Sequence, residues 1–235
     1  MTDAPPPTLD GPSARPASGG VPRQLVVLLH GYGADGNDLI ALAPHLAADL
    51  PDAVFHAPHA PDACEVMPFG RQWFSFTQYD PEMWRRDAAN LVPALDMMGA
   101  GADSVAPALN ATLDALLAQY GLGADALALV GFSQGTMMAL HVALRRATPM
   151  AAVVGFSGAL PGASALPGAV TARPPITLIH GKQDPVVPFA AMAHAQSALA
   201  EAGLTVDTHA RPGLEHGIDD AGITIARETL RRAFS

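Results

Sequence analysis

From residue 104 onward, helix-length and strand-length apolar segments alternate to the end of the chain, and nothing else in the sequence restricts the fold so strongly. Residues 104–120 repeat Val105, Leu109, Leu113, Leu116 and Tyr120 at helical spacing. Residues 126–131, 151–156, 176–180 and 205–210 read as strands, and 135–146, 189–202 and 218–233 as helices. Upstream, 24–30 reads as a buried strand, 37–50 as a helix capped by Asn37, and 53–56 as a short strand. Strands joined through helices run parallel in one sheet, with helices on both faces. The expectation is therefore one α/β domain over residues 23–235, with a mostly parallel sheet. Residues 57–103, rich in Pro, Met and Trp, lack a clean period and read as a long irregular connection. Residues 1–22 are rich in Pro, Gly and Ser and offer little to bury, so a disordered tail is expected there.

Composition removes several classes of function. The 235 residues are 49% hydrophobic and 15% charged, enough for a large core, yet no apolar run approaches the length of a membrane span. No stable membrane insertion is expected. A formal charge of -9 opposes a nucleic-acid surface, because neutralising phosphates takes clustered Lys and Arg. Cys64, the only cysteine, excludes an intramolecular disulfide and a cysteine-based zinc site. Its setting, "PDACEV", offers nothing to lower its pKa, so it reads as an inert thiol. The first residues lack the basic start and apolar core of a secretory signal, which makes the cytoplasm the expected location.

"LVGFSQG" carries the chemistry. Gly131, Ser133 and Gly135 form G-x-S-x-G between a predicted strand and a predicted helix, the context this motif requires. A strand turning sharply into a helix strains its central residue, and both flanking positions must be small for the two backbones to pass. Ser133 would then project its hydroxyl at the sheet edge, near a helix N-terminus. "GFSGA", residues 155–159, resembles this motif incompletely, and its Ser157 reads as lining the strand ends without a nucleophilic role.

A serine hydroxyl needs a base, and the base an orienting carboxylate. In this architecture the acid and then the histidine follow the serine in the chain. Of the later histidines, His141 and His194 fall in predicted helices, and His180 and His209 lie within or end strands. His216 is left in the loop "RPGLEHGI", bracketed by Gly213 and Gly217. Asp184, in the loop after the strand "ITLIHG", is favoured as the acid over Asp207 and Glu215.

Gly31, Gly33 and Gly36 spell G-x-G-x-x-G, a spacing also used to bind dinucleotides. That use needs an acidic residue at the end of the second strand, where this chain has "VFHAPHAP". The loop instead faces the elbow, and the backbone N–H groups of Tyr32 and Gln134 can form an oxyanion hole. His56, His59 and Asp62 lie on no rigid element and make a weak metal site.

With "HGYGADGND", "GFSQGTMMAL", "HGKQDPVVP" and "EHGI" in this order, and "RQWF" over residues 71–74, the chain from about residue 21 resembles the phospholipase/carboxylesterase family of α/β-hydrolases. The resemblance implies the α/β-hydrolase fold, a Ser133–Asp184–His216 triad, an oxyanion hole at Tyr32 and Gln134, and a monomer or homodimer. Thr136 stands where eukaryotic thioesterase members commonly have another glycine, so the bacterial carboxylesterase branch is the nearer likeness. The expected activity is hydrolysis of small-molecule carboxylic esters without metal or organic cofactor. The alternatives are a lysophospholipase or acyl-thioesterase with the same machinery, and a catalytically silent binding protein on this fold. Met83 and Trp84, in the irregular stretch, are the candidate substrate-pocket residues, since loops at this sheet edge shape the pocket.

Overall fold

The sequence "LVVLL" in the second strand has no polar face, so it can only lie in a sheet covered on both sides. That is its setting. A computed structural model of the chain describes residues 6–77 and 88–235. The strands are β1 (Ser13–Ala14), β2 (Gln24–Leu29), β3 (Ala53–His56), β4 (Asp62–Ala63), β5 (Arg71–Gln72), β6 (Leu127–Phe132), β7 (Ala152–Phe156), β8 (Ile176–Gly181) and β9 (Val206–Arg211). Seven of them form one sheet in the order β1-β3-β2-β6-β7-β8-β9, parallel except for β1 against β3. β4 and β5 pair as a separate hairpin. The described helices are α1 (Gly36–Leu39), α2 (Ala43–Ala47), α3 (Leu91–Tyr120), α4 (Gln134–Ala143), α5 (Leu166–Ala169), α6 (Ala190–Glu201) and α7 (Asp220–Ala233).

Alternation along β2 divides the core. Leu25, Val27 and Leu29 join a cluster with α3, α4 and α6, while Val26 and Leu28 join one with α1, α2 and α7. All five side chains are fully buried. Among the described residues, no helix is long and apolar enough to cross a membrane.

Three expectations change. The predicted helix over 37–50 is two short helices joined by a 3₁₀ turn, Ile40–Leu42. Pro44 has no N–H to continue the ladder, and this breaks the helix. Its cap is Asp35, not Asn37, and accepts from the N–H of Asn37 at 2.8 Å and of Asp38 at 3.2 Å. The irregular stretch 57–103 ends earlier than expected, because α3 begins at Leu91 and runs for 30 residues with Pro107 inside it. Gly99 and Gly101 obscure its period. They are there for close approach: a Cβ at Gly99 would fall 3.0 Å from Gly162 Cα, and one at Gly101 2.8 Å from Phe74 Cδ2.

The third change concerns the expected tail. Residues 6–22 are described, and part of this segment is built into the domain. β1 covers the edge of β3, pairing Ser13 with His56 and Ala14 with Phe55. The N–H groups of Ala57 and His59 donate to the carbonyls of Pro12 (2.9 Å) and Asp10 (2.7 Å). Leu9 donates its N–H to Thr112 Oγ1 at 2.7 Å and packs against the core. The composition reads as a tail because few of its side chains are apolar. What holds it is backbone pairing with an otherwise open sheet edge, and composition does not report that.

Deleting residues 1–14 removes these bonds and uncovers β3. Each hydrogen bond contributes about 0.5–1.5 kcal/mol net, offset by the ordering entropy of the segment, so a stability loss of about 1–3 kcal/mol is expected in denaturant titration. Size-exclusion chromatography of the truncated chain should also show concentration-dependent self-association through the open edge.

Candidate active site

The turn from β6 into α4 is made by Ser133, whose φ of 54° and ψ of -116° lie outside the ordinary regions for a residue with a side chain. Such a conformation costs about 1–3 kcal/mol and persists only where its surroundings over-determine it. Here they do. A Cβ at Gly135 would overlap the Leu29 carbonyl oxygen, and one at Gly131 would fall 2.5 Å from Thr136 N. The Ser133 N–H donates to the Phe156 carbonyl at 2.9 Å, while its carbonyl accepts from Thr136 and Met137. The Ser133 hydroxyl makes no cap hydrogen bond to the helix it begins.

Asp184 and His216 come together. The Nδ1–H of His216 donates to Asp184 Oδ2 at 2.8 Å. The other carboxylate oxygen, Oδ1, accepts from the N–H groups of Val186 (2.8 Å) and Val187 (2.9 Å). His180 Nε2 lies 3.3 Å from Oδ2 and 3.0 Å from the Val187 carbonyl. Burial alone would push the Asp184 carboxyl up, but the hydrogen bonds from His180, His216 and Val186 hold it well below the usual carboxylate range. The His216 ring packs on Phe132, the residue before Ser133, with ring centroids 4.9 Å apart. The rival acids are elsewhere: Asp207 pairs with His209 at 3.1 Å on β9, and Glu215 is exposed.

Most N–H groups of the glycine-rich loop have protein acceptors. Gly33 donates to Arg71 O, Ala34 to Gly31 O, and Gly36 to His59 Nδ1. The Tyr32 N–H has none among the described residues, and neither has the Gln134 N–H at the first position of α4. These are the two groups expected to form an oxyanion hole. Behind the loop, His30 Nε2 accepts from Ala60 N–H at 3.0 Å, so Nδ1 carries the proton and donates to the Gly31 carbonyl at 2.8 Å. Burial holds the His30 pKa below its ordinary value.

Several residues escaped sequence reasoning. The fully buried Gln134 side chain accepts from Trp73 N–H at 2.9 Å and donates to the Phe74 carbonyl at 2.8 Å, while the Trp73 indole donates to the His30 carbonyl at 2.9 Å. These bonds tie the "RQWF" segment to both loops of the site. Glu65 accepts from the hydroxyls of Tyr32, Ser75 and Thr77, and Phe76 stacks on Tyr32 at 4.8 Å. A polar residue beside an expected nucleophile, and an aromatic segment without a period, were the only signals. Ser157 shares the unusual backbone of Ser133, with φ 45°, but is fully buried and directs its hydroxyl at the Gly217 carbonyl. Gly155 and Gly158 make room for Thr136, whose hydroxyl donates to the Phe156 carbonyl at 2.9 Å. His56 Nδ1 lies 2.8 Å from Ser13 Oγ, and His59 Nδ1 accepts from Gly36. Met83 and Trp84 lie outside the described residues. Trp73 and Phe74 are buried in the core.

With this geometry in place, the comparison with known sequences is decisive. The phospholipase/carboxylesterase profile matches residues 17–233. The chain belongs to that family. It is an α/β-hydrolase and a carboxylic ester hydrolase. Esterase YpfH of Escherichia coli (strain K12) is 31% identical over 209 residues, covering 89% of this chain and 82% of that protein. The crystal structure of esterase PE8 superposes with a TM-score of 0.85 at 38% identity, covering 96% of this chain and 99% of the other. Acyl-protein thioesterase 1 of Saccharomyces cerevisiae is 27% identical over 177 residues, covering 71% of this chain and 73% of that protein.

The steric account of the elbow is open to a paired test. Gly135→Ala drives a methyl group into the Leu29 backbone and is expected to cost about 3 kcal/mol or more. At Gly168, exposed in α5, a Cβ meets nothing within 4 Å. Gly168→Ala should be neutral or stabilise by up to about 1 kcal/mol. Chemical denaturation of the two variants makes the comparison.

Proposed function

We propose that this family member hydrolyses carboxylic esters through an acyl-enzyme on Ser133, with His216 as base and then acid, and Asp184 orienting it. The observation that carries the reading is the Nδ1–H···Oδ2 bond of 2.8 Å between His216 and Asp184, on a ring packed against the residue before Ser133. A carboxylate on Nδ1 fixes the tautomer in which Nε2 is the basic nitrogen. As Ser133 Oγ attacks the ester carbonyl carbon, Nε2 takes the hydroxyl proton, and the carbonyl π electrons move onto oxygen. The N–H groups of Tyr32 and Gln134 meet that oxyanion, since neither has another acceptor among the described residues. Collapse expels the alcohol, which takes its proton from His216. Water then attacks the acyl-enzyme, giving up a proton to His216. The second collapse returns that proton to Ser133 and releases the acid. Asp184 remains ionised throughout, because its hydrogen bonds favour the charged form.

A thioester presents the same acyl carbon with a sulfur leaving group, so an acyl-thioesterase is the second reading. The similarity to a yeast acyl-protein thioesterase favours keeping it. The proposal extends to a cytoplasmic setting, which suits a chain whose only thiol, Cys64, is free. It also includes a monomeric or homodimeric state, and an acyl-selecting role for Met83 and Trp84.

A fluorophosphonate should attach covalently to Ser133, and Ser133→Ala should abolish both labelling and p-nitrophenyl butyrate hydrolysis. Labelling that survives in Ser133→Ala and vanishes in Ser157→Ala would overturn the nucleophile. Asp184→Asn should lower kcat by about 10⁴, as for the same change in a serine protease. Asp207→Asn should leave it nearly unchanged. Trp84→Ala should alter kcat/KM unevenly across acetate, butyrate and octanoate esters, since each buried methylene is worth about 0.8 kcal/mol. A lower Tm with an unchanged acyl profile would return Trp84 to a packing role. Parallel assays with acyl thioesters rank the two leaving groups.

A further inference from the structure

The loop that carries His216 has little of its own to hold it in place. It joins β9 to α7 and contains Gly213, at φ 81°, and Gly217. Pro212 and Gly213 are exposed, and Leu214 is only partly buried, so side-chain packing does little to fix the first half of its path. Catalysis tolerates little wandering, since a misplacement of about 1 Å can cost 10²-fold in rate.

Besides the Ser157 hydroxyl directed at the Gly217 carbonyl and the packing of the His216 ring on Phe132, two further sets of contacts restrain the loop. Arg211, the last residue of β9, and Asp219, the cap of α7, close its two ends. Arg211 Nε donates to Asp219 Oδ2 at 3.0 Å and Oδ1 at 3.3 Å, and its Nη2 to Oδ2 at 3.0 Å. The same carboxylate accepts from the Gly222 N–H at 2.8 Å. Against the first half of the loop sits Gln183, the residue before Asp184. Its side-chain Oε1 accepts from Gly213 N–H at 2.6 Å, and its own N–H donates to the Leu214 carbonyl at 3.0 Å. Gly181 lets the loop press close, because a Cβ there would overlap the carbonyl oxygens of Leu214 and Glu215. The acid loop and the base loop are thus joined twice before the Asp184–His216 bond is made.

We propose that Gln183 and the Arg211–Asp219 pair are positioning residues for His216, holding the base loop in register with the acid loop. The inference rests on the triad reading above. None of the three is fully buried, so apart from the cap that Asp219 gives α7 their contribution to global stability is small. A partly exposed ion pair is worth little to folding, whereas fixing the two ends of the loop over residues 212–218 limits where its histidine can go.

The test uses the full chain with p-nitrophenyl butyrate and a fluorophosphonate. Gln183→Ala and Asp219→Asn are each expected to lower kcat about tenfold and the labelling rate in parallel, with KM within about twofold and Tm within a few degrees. Asp219→Asn keeps an acceptor for Gly222 and removes the charge that grips Arg211. Gln183→Glu keeps an acceptor for Gly213 N–H and should stay within about threefold of the wild type. Unchanged kcat and labelling in Gln183→Ala and Asp219→Asn would overturn the proposal, whatever happens to Tm. So would a rise in KM at constant kcat, or a Gln183→Glu variant as slow as Gln183→Ala. If a variant fails to fold, Arg211→Lys, which keeps the charge and loses the two-pronged grip, is read by the same criteria. A wild-type chain that takes no label would instead overturn the triad assignment, and this inference with it.

Discussion

The site depends on one steric arrangement, the passage of α4 across the ends of β2 and β6 with backbone against backbone. Gly131 and Gly135 permit it, and Ser133 absorbs the turn at φ 54°. This approach puts Gln134 at the first position of α4, where its N–H has no acceptor among the described residues. It also sets the Ser133 carbonyl where Thr136 and Met137 can use it. The sheet supplies the rest, because β7 and β8 end on the same side and deliver Phe156 and the Asp184 loop to that edge.

Around this turn the polar groups are arranged as supports. The Gln134 side chain spans to Trp73 and Phe74, Trp73 reaches back to His30, and His30 joins Gly31 to Ala60. These buried bonds link three separate pieces of chain that share no regular structure. An unsatisfied buried polar group costs about 1–3 kcal/mol, so each piece fixes its neighbours. The connection from β3 toward α3 therefore contributes to the site through its backbone carbonyls and amides as well as its side chains.

The sheet was legible in the sequence because a two-sided apolar strand such as "LVVLL" and helices at regular spacing have few other solutions. The sharp turn at Ser133 and the pairing of Asp184 with His216 were legible because each residue stands beyond a strand end, near Gly or Pro. Other features were hidden for identifiable reasons. Pro44 broke a helix whose apolar spacing looks continuous. Gly99 and Gly101, which serve contact with Gly162 and Phe74, lowered the helical signal over the start of α3. The segment over residues 9–14 is held by main-chain pairing, to which side-chain composition is blind. Gln134 was expected to offer only its N–H, because the partners of its amide side chain lie 60 and 61 residues away in the chain.

His30 carries a consequence of its own. Its ring accepts from one backbone amide and donates to one backbone carbonyl, a role open only to the neutral form. A second proton would turn Nε2 from acceptor into donor, facing the Ala60 N–H with nothing to receive it. Since burial holds the His30 pKa below the unfolded value of about 6.5, its contribution to stability is complete above that pH and fades as the pH falls through the lower folded value. The ring thus acts as a proton-sensitive rivet behind the Tyr32 loop, and acid would loosen the joint it makes between Gly31 and Ala60.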